Sequence, residues 1–142
     1  MTNDLSVTVN LKTSIRQEGD LETFSFTETG SLIQMGDTLY LRYTEHQGEY
    51  ATPVVFKFLP DGEVSLKRSG QSQSHLRFKT DQSIPTRYAT GQGSMLLDVH
   101  TTQLKTDVMP NQTTGTATIS YELLAGPTHL GEYTVQLHFQ AN

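Results

Sequence analysis

Between Val64 and Lys79 the chain reads VSLKRSGQSQSHLRFK, its densest run of positive charge. Val64, Leu66 and Arg68 share one parity, so alternation along a strand points the Arg68 guanidinium the same way as two apolar side chains. A guanidinium is a planar fork of N–H donors that matches a carboxylate or phosphate in two-pronged geometry. A charge taken out of water without a partner costs several kcal/mol, so an inward Arg68 must be wet, paired or bound to a ligand. Glu45 extends the like-parity run Leu39, Leu41, Tyr43 and is the natural protein partner. Tyr43 and Tyr88 supply hydroxyls and flat apolar walls. Arg77 is a weaker candidate, because it has the opposite parity to Leu76 and Phe78 and so points outward.

If three alternate strands end at the same rim, Glu45, Arg68 and Tyr88 meet at one mouth. That arrangement would hold a small anionic or amphipathic ligand, its acid group on Arg68 and its apolar part inside. The plainer alternative has Arg68 bonding carbonyls of the turn at Ser69-Gly70. A third reading makes the mouth catalytic, with Glu45 as acid or base and Arg68 as anion clamp.

Other signatures are weaker. His46, His75, His100, His129 and His138 form no His-x-His pair and no Glu-x-x-His spacing, so no metal site is expected. Ser94, Asp98 and His100 suggest a triad on paper, yet there is no Gly-x-Ser-x-Gly elbow. Asp98 and His100 also oppose Met95, Leu97 and Val99 in parity and should face water. Gly91 and Gly93 lack the following helix that a phosphate cradle needs. Glu18, Glu22 and Glu28 crowd near one hairpin and read as surface charge. No cofactor is expected, and a non-enzymatic role is favoured.

The elements that must position these residues are strands. Leu5, Val7, Val9, Leu11 and Ile15 alternate with polar residues, and the pattern returns in Phe24-x-Phe26, Leu39-x-Leu41-x-Tyr43 and Val54-x-Phe56-x-Phe58. It continues through Val64-x-Leu66, Leu76-x-Phe78, Ile84 to Tyr88, Met95-x-Leu97-x-Val99, Ala117 to Leu123 and Tyr133 to Phe139. Pro60-Asp61-Gly62 and Pro110-Asn111 mark turns, and Gly30 marks a bend or bulge. About ten strands and no helix are expected. Short turns make neighbours antiparallel, and one polar face throughout implies a single curved sheet. Closure into an up-and-down antiparallel barrel removes both sheet edges, and a two-sheet sandwich is the rival. Phe24, Phe26, Phe56, Phe58, Leu97 and Phe139 have the bulk to fill such a barrel.

At 142 residues, 35% hydrophobic and 18% charged, the chain suits one globular domain over residues 1–142. It contains no cysteine, which excludes disulfides and thiol chemistry. A net charge of −5 speaks against a general nucleic-acid binder. The charge is uneven, with six Lys/Arg against three Asp/Glu between residues 51 and 90. No stretch approaches the length of a membrane-spanning helix and no secretory leader is evident, so a soluble cytoplasmic protein is expected.

LYLRYTE (39–45), LKRSG (66–70), LRF (76–78) and YATGQGSMLLDVHT (88–101) resemble the YwiB-like family of small bacterial proteins of uncharacterised function. The resemblance covers nearly the whole chain and implies a lipocalin-like, calycin-type β-barrel. It implies no activity. The absence of tryptophan removes the Gly-x-Trp motif of true lipocalins, so extracellular transport is not carried over. Two functions are then weighed against catalysis: a barrel that binds a small molecule, and a packed barrel that serves as an interaction module. The chain would be a monomer or a homodimer.

Overall fold

The computed structural model describes residues 4–70, 73–108 and 113–142. The Pro110-Asn111 turn lies outside them. Strands are β1 (Asp4–Gln17), β2 (Asp20–Met35), β3 (Thr38–Gln47), β4 (Tyr50–Phe58) and β5 (Val64–Ser69). They continue as β6 (Gln73–Phe78), β7 (Ser83–Thr90), β8 (Gly93–Asp107), β9 (Thr114–Ala125) and β10 (Thr128–Ala141). There is no helix among the described residues. Each strand pairs antiparallel with its sequence neighbours, and β10 returns to β1 to close the barrel. The sandwich alternative is thereby excluded. Short connections favour this order, because two antiparallel strands need only a tight turn between them. At Glu18-Gly19 both residues have positive φ, 51° and 86°, the mirror-image turn whose twist suits a two-residue hairpin.

Alternation decides which side chains fill the interior. Leu11 lies opposite Leu137 and Val9 opposite Phe139, all inward. One end of the barrel is solid. Phe56, Phe78 and Phe139 are fully buried there, with Phe58 beside them, and ring centroids of Phe58 and Phe139 are 6.5 Å apart. Large apolar side chains from opposite walls meet across the axis there.

Three irregularities open the other end. β2 pairs with β3 only over Ser31–Met35, while its first half pairs with β1 alone. Gly30 stands where β2 leaves β3, and a Cβ there would lie 2.5 Å from the Arg42 carbonyl oxygen. The sequence expectation of a bend at Gly30 holds for this reason. Phe24 has the inward parity expected of it but is 37% exposed, because no third strand covers that part of β2. The β6–β7 seam is the second irregularity, with a single bridge at Gln73 and Ala89. Pro85 leaves β7 one donor short, and the Thr86 hydroxyl donates to the His75 carbonyl at 2.6 Å in place of ladder bonds. Third, the β8–β9 and β9–β10 registers shift between Thr101 and Gln103 and between His129 and Gly131. Such bulges strengthen local twist and re-aim side chains.

Candidate functional site

β3, β5 and β7 do finish at a common rim, and the open end of the barrel lies there. Behind this mouth is a cavity of about 500 Å³. Apolar walls come from Ile15, Leu66, Leu76, Leu97, Leu123 and Val135. Arg68, Tyr88, Tyr121 and Tyr133 bring polar groups to it, and Arg68 is the one charged residue among the described residues that line it. The guanidinium enters the mouth because β5 keeps strict alternation: Val64 pairs with Phe78, Leu66 with Leu76 and Arg68 with Ser74, all on the inner face.

Arg68 does not meet the cavity as an isolated charge. Its Nη1 lies 3.1 Å from Glu45 Oε1, and its Nη2 donates to Glu45 Oε2 at 3.3 Å. The Tyr43 hydroxyl donates to the same Oε2 at 3.0 Å. The Glu45 side chain is only 6% exposed, whereas that of Arg68 is 34% exposed. The carboxylate is therefore the buried member, held by two donated hydrogen bonds and by the Nη1 ion pair, and the guanidinium is its bridge to the mouth. Burial, then the neighbouring Glu45 charge, pushes the Tyr43 phenol far above its ordinary range, so it stays a donor. Glu45 and Tyr43 do not line the cavity. They stand behind Arg68 and fix its direction.

The tyrosines form the opposite wall. Tyr121 and Tyr133 stack with centroids 5.0 Å apart and planes within 6°. Tyr133 accepts a bond from Gln17 Nε2 at 3.3 Å, and burial pushes its phenol up. Tyr121 is 6% exposed, and its hydroxyl makes no hydrogen bond to another described residue. Burial, with Tyr133 next, raises its phenol well above the ordinary range, opposed by Arg68. An O–H that reaches the cavity without a partner among the described residues is a donor that a ligand or water can use.

Of the candidates read from the sequence, Arg68 and Tyr88 line the cavity and Glu45 and Tyr43 support it. Arg77 stands apart. Its Nε and Nη2 both donate to the Glu63 carboxylate at 3.0 Å on the outer face, and Lys79 lies 3.9 Å from the same group. That hydrogen-bonded pair raises the Arg77 guanidinium further and ties it into the wall, away from any ligand in the lumen. Sequence reading missed Tyr121, Tyr133, Leu123 and Leu130. Their strands were legible, but only register shows that they face Arg68 across the axis.

The catalytic signatures do not converge. His100 Nδ1 is 2.9 Å from the Ser83 hydroxyl, while Ser94 accepts a bond from Arg87 at 3.2 Å. Ser94 and His100 are six residues apart on one strand, about 20 Å. On the outer face of β9–β10, Glu122, His129 and Glu132 each bring one ligand atom within 4.8 Å of the others. This group, assembled by the cross-strand register and the bulge after His129, has the donor types that hold a divalent cation, and it does not touch the cavity. No helix among the described residues is long and apolar enough to cross a membrane.

Comparison with known proteins agrees with this architecture. The chain is 26% identical over 138 residues to the "Uncharacterized beta-barrel protein YwiB" of Bacillus subtilis (strain 168), covering 97% of this chain and 92% of that one. The crystal structure of the ywiB protein from Bacillus subtilis superposes with a TM-score of 0.84 at 23% identity, over 98% of this chain and 93% of that chain. That likeness establishes the fold. The family model described as "Domain of unknown function (DUF1934)" matches residues 9–137. A closed ten-strand barrel spanning that match, together with a YwiB homologue aligned along nearly the whole chain, makes the chain a member of the DUF1934, or YwiB-like, family of β-barrel proteins.

Proposed function

We propose that the protein is a non-enzymatic binding barrel that takes up a small amphipathic molecule in the cavity at its open end. The observation that carries this reading is the composition of the cavity. About 500 Å³ of lumen is walled mainly by apolar side chains, with Arg68 and the unpartnered Tyr121 hydroxyl converging on it. Small-molecule sites have this form and this size range, concave and apolar with a few fixed polar groups. At the other end the buried phenylalanines pack against one another. Glu45 is committed to two hydrogen bonds and an ion pair with Arg68, which disfavours it as a catalytic base.

The test is titration with the uncharged dye Nile red, followed by fluorescence, on the parent and on Leu97→Trp. Leu97 lines the cavity, so an indole there takes up lumen volume. Saturable binding at one dye per chain in the parent, reduced at least tenfold in a variant with the parent's far-ultraviolet circular dichroism, is the expected result. No saturable binding, or equal binding by both proteins, would defeat the proposal. Native mass spectrometry of the protein purified from cells would show whether a small molecule accompanies it.

A further inference from the structure

We infer that the cavity selects an amphipathic ligand whose polar head is an uncharged hydrogen-bond acceptor, such as an amide, in preference to a carboxylate or phosphate. This rests on the reading of the cavity as a ligand site and concerns the charge of what enters it.

A lone arginine at the mouth of a barrel would invite an anion. Here the charge is already balanced. Glu45 takes the guanidinium through both terminal nitrogens, at 3.1 and 3.3 Å, and is itself almost wholly buried. Arg68 and Glu45 together carry no net charge, and no other charged side chain among the described residues lines the cavity. An anionic head placed against Arg68 would leave two negative groups sharing one guanidinium in a site walled by leucines. Moving an anion out of water is unfavourable unless a cation with unspent charge receives it.

Hydrogen-bond capacity, by contrast, is unspent. One of the five guanidinium N–H donors is used in a hydrogen bond to Glu45, with Nη1 held beside the carboxylate as an ion pair, and the Tyr121 hydroxyl has no partner among the described residues. These groups offer donors without net charge, which is what a neutral carbonyl needs. The approach has the same sense. A second hollow adjoins the cavity, sharing Ile15, Gln17 and Leu130 with it, and is lined by Glu18, Asp20 and Glu22. All three acids are exposed, and their field opposes an anion entering beside them.

Decanamide and decanoate, which share chain length and differ in head charge, provide the test. Both are titrated calorimetrically at pH 7.5, below the concentrations at which they self-associate, into the parent and into Glu45→Gln. In the parent, decanamide is expected to bind about tenfold more tightly than decanoate or better, a difference of about 1.4 kcal/mol. Glu45→Gln uncovers the Arg68 charge, and the ratio of affinities should move toward decanoate by about tenfold. Decanoate binding as tightly as decanamide in the parent overturns the inference while leaving the cavity a ligand site. An unchanged ratio in a folded Glu45→Gln does so as well. If neither probe binds the parent, the site reading fails and this inference fails with it. The parent comparison decides the matter even if the variant does not fold.

Discussion

Replacing Arg68 with methionine should cost far more stability than replacing Glu45 with glutamine, although each removes one half of the same pair. The asymmetry comes from exposure, 6% for the Glu45 side chain against 34% for that of Arg68. Arg68→Met strands a carboxylate in the wall of the barrel with one hydrogen bond left, from Tyr43. Breaking a buried pair in this way typically costs about 3 to 5 kcal/mol. The Tyr43 bond and the adjoining cavity, which admits water, put the expected loss near the lower end, about 3 kcal/mol. Glu45→Gln keeps an acceptor for Tyr43 and leaves a guanidinium that can turn its free donors to water, so about 1 kcal/mol is expected. The double variant Glu45→Gln/Arg68→Met should be more stable than Arg68→Met alone, because no charge remains to be buried. Urea unfolding at pH 7, with midpoints compared at constant m-value, measures all three. An Arg68→Met loss equal to or smaller than that of Glu45→Gln would refute the reasoning and place the pair in effectively aqueous surroundings.

Two further outcomes are expected. Gly30→Ala should destabilise the fold by about 1 to 3 kcal/mol in the same urea assay, because the added Cβ meets a backbone carbonyl that cannot turn aside. A neutral result would mean that β2 can leave β3 at another residue. Burial, followed by Lys67, Arg77 and Lys57, lowers the His75 imidazole below its ordinary value, against a smaller opposing effect of Glu63. The unfolded chain therefore gains a proton at His75 before the folded one does, and stability is lost as pH falls through about 6.5 toward the lowered value. His75→Asn should flatten that part of the urea-midpoint profile between pH 7.5 and 5.5, and a profile identical to the parent's would contradict the assignment.

Strand identity was readable from local pattern. In Val64-Ser65-Leu66-Lys67-Arg68 the period of two is imposed by the backbone, so the direction of Arg68 followed without knowledge of any partner strand. The same logic assigned Arg77 to the outer face. Leu39, Leu41 and Tyr43 carried the parity on to Glu45, which made the acid a sound choice of partner. Barrel closure was inferable because an open sheet of this many half-apolar strands would leave two bare edges and an uncovered face.

Where parity met distance, the sequence was silent. Phe24 and Phe26 belong to the inward set, yet Phe24 is exposed because β2 runs beyond the reach of β3. Phe56, Phe58 and Phe139 gather at one end and leave the other hollow, a result of stagger around the barrel that no single strand encodes. Thr101 is fully buried with an unpartnered hydroxyl beside the β8 bulge, a position that alternation alone would have given to an apolar residue.

Alternation and turn chemistry were thus enough to determine an all-β antiparallel fold, with a barrel favoured over a sandwich and Arg68 on the inner face of its strand, because each depends on a few neighbouring residues. Tertiary structure alone decided that a cavity lies behind that arginine, that Tyr121 and Tyr133 face it, and that Glu45 already neutralises it. Volume and charge balance are sums over side chains from strands far apart in the chain, and the bulges and uneven strand lengths that set their register leave no local mark.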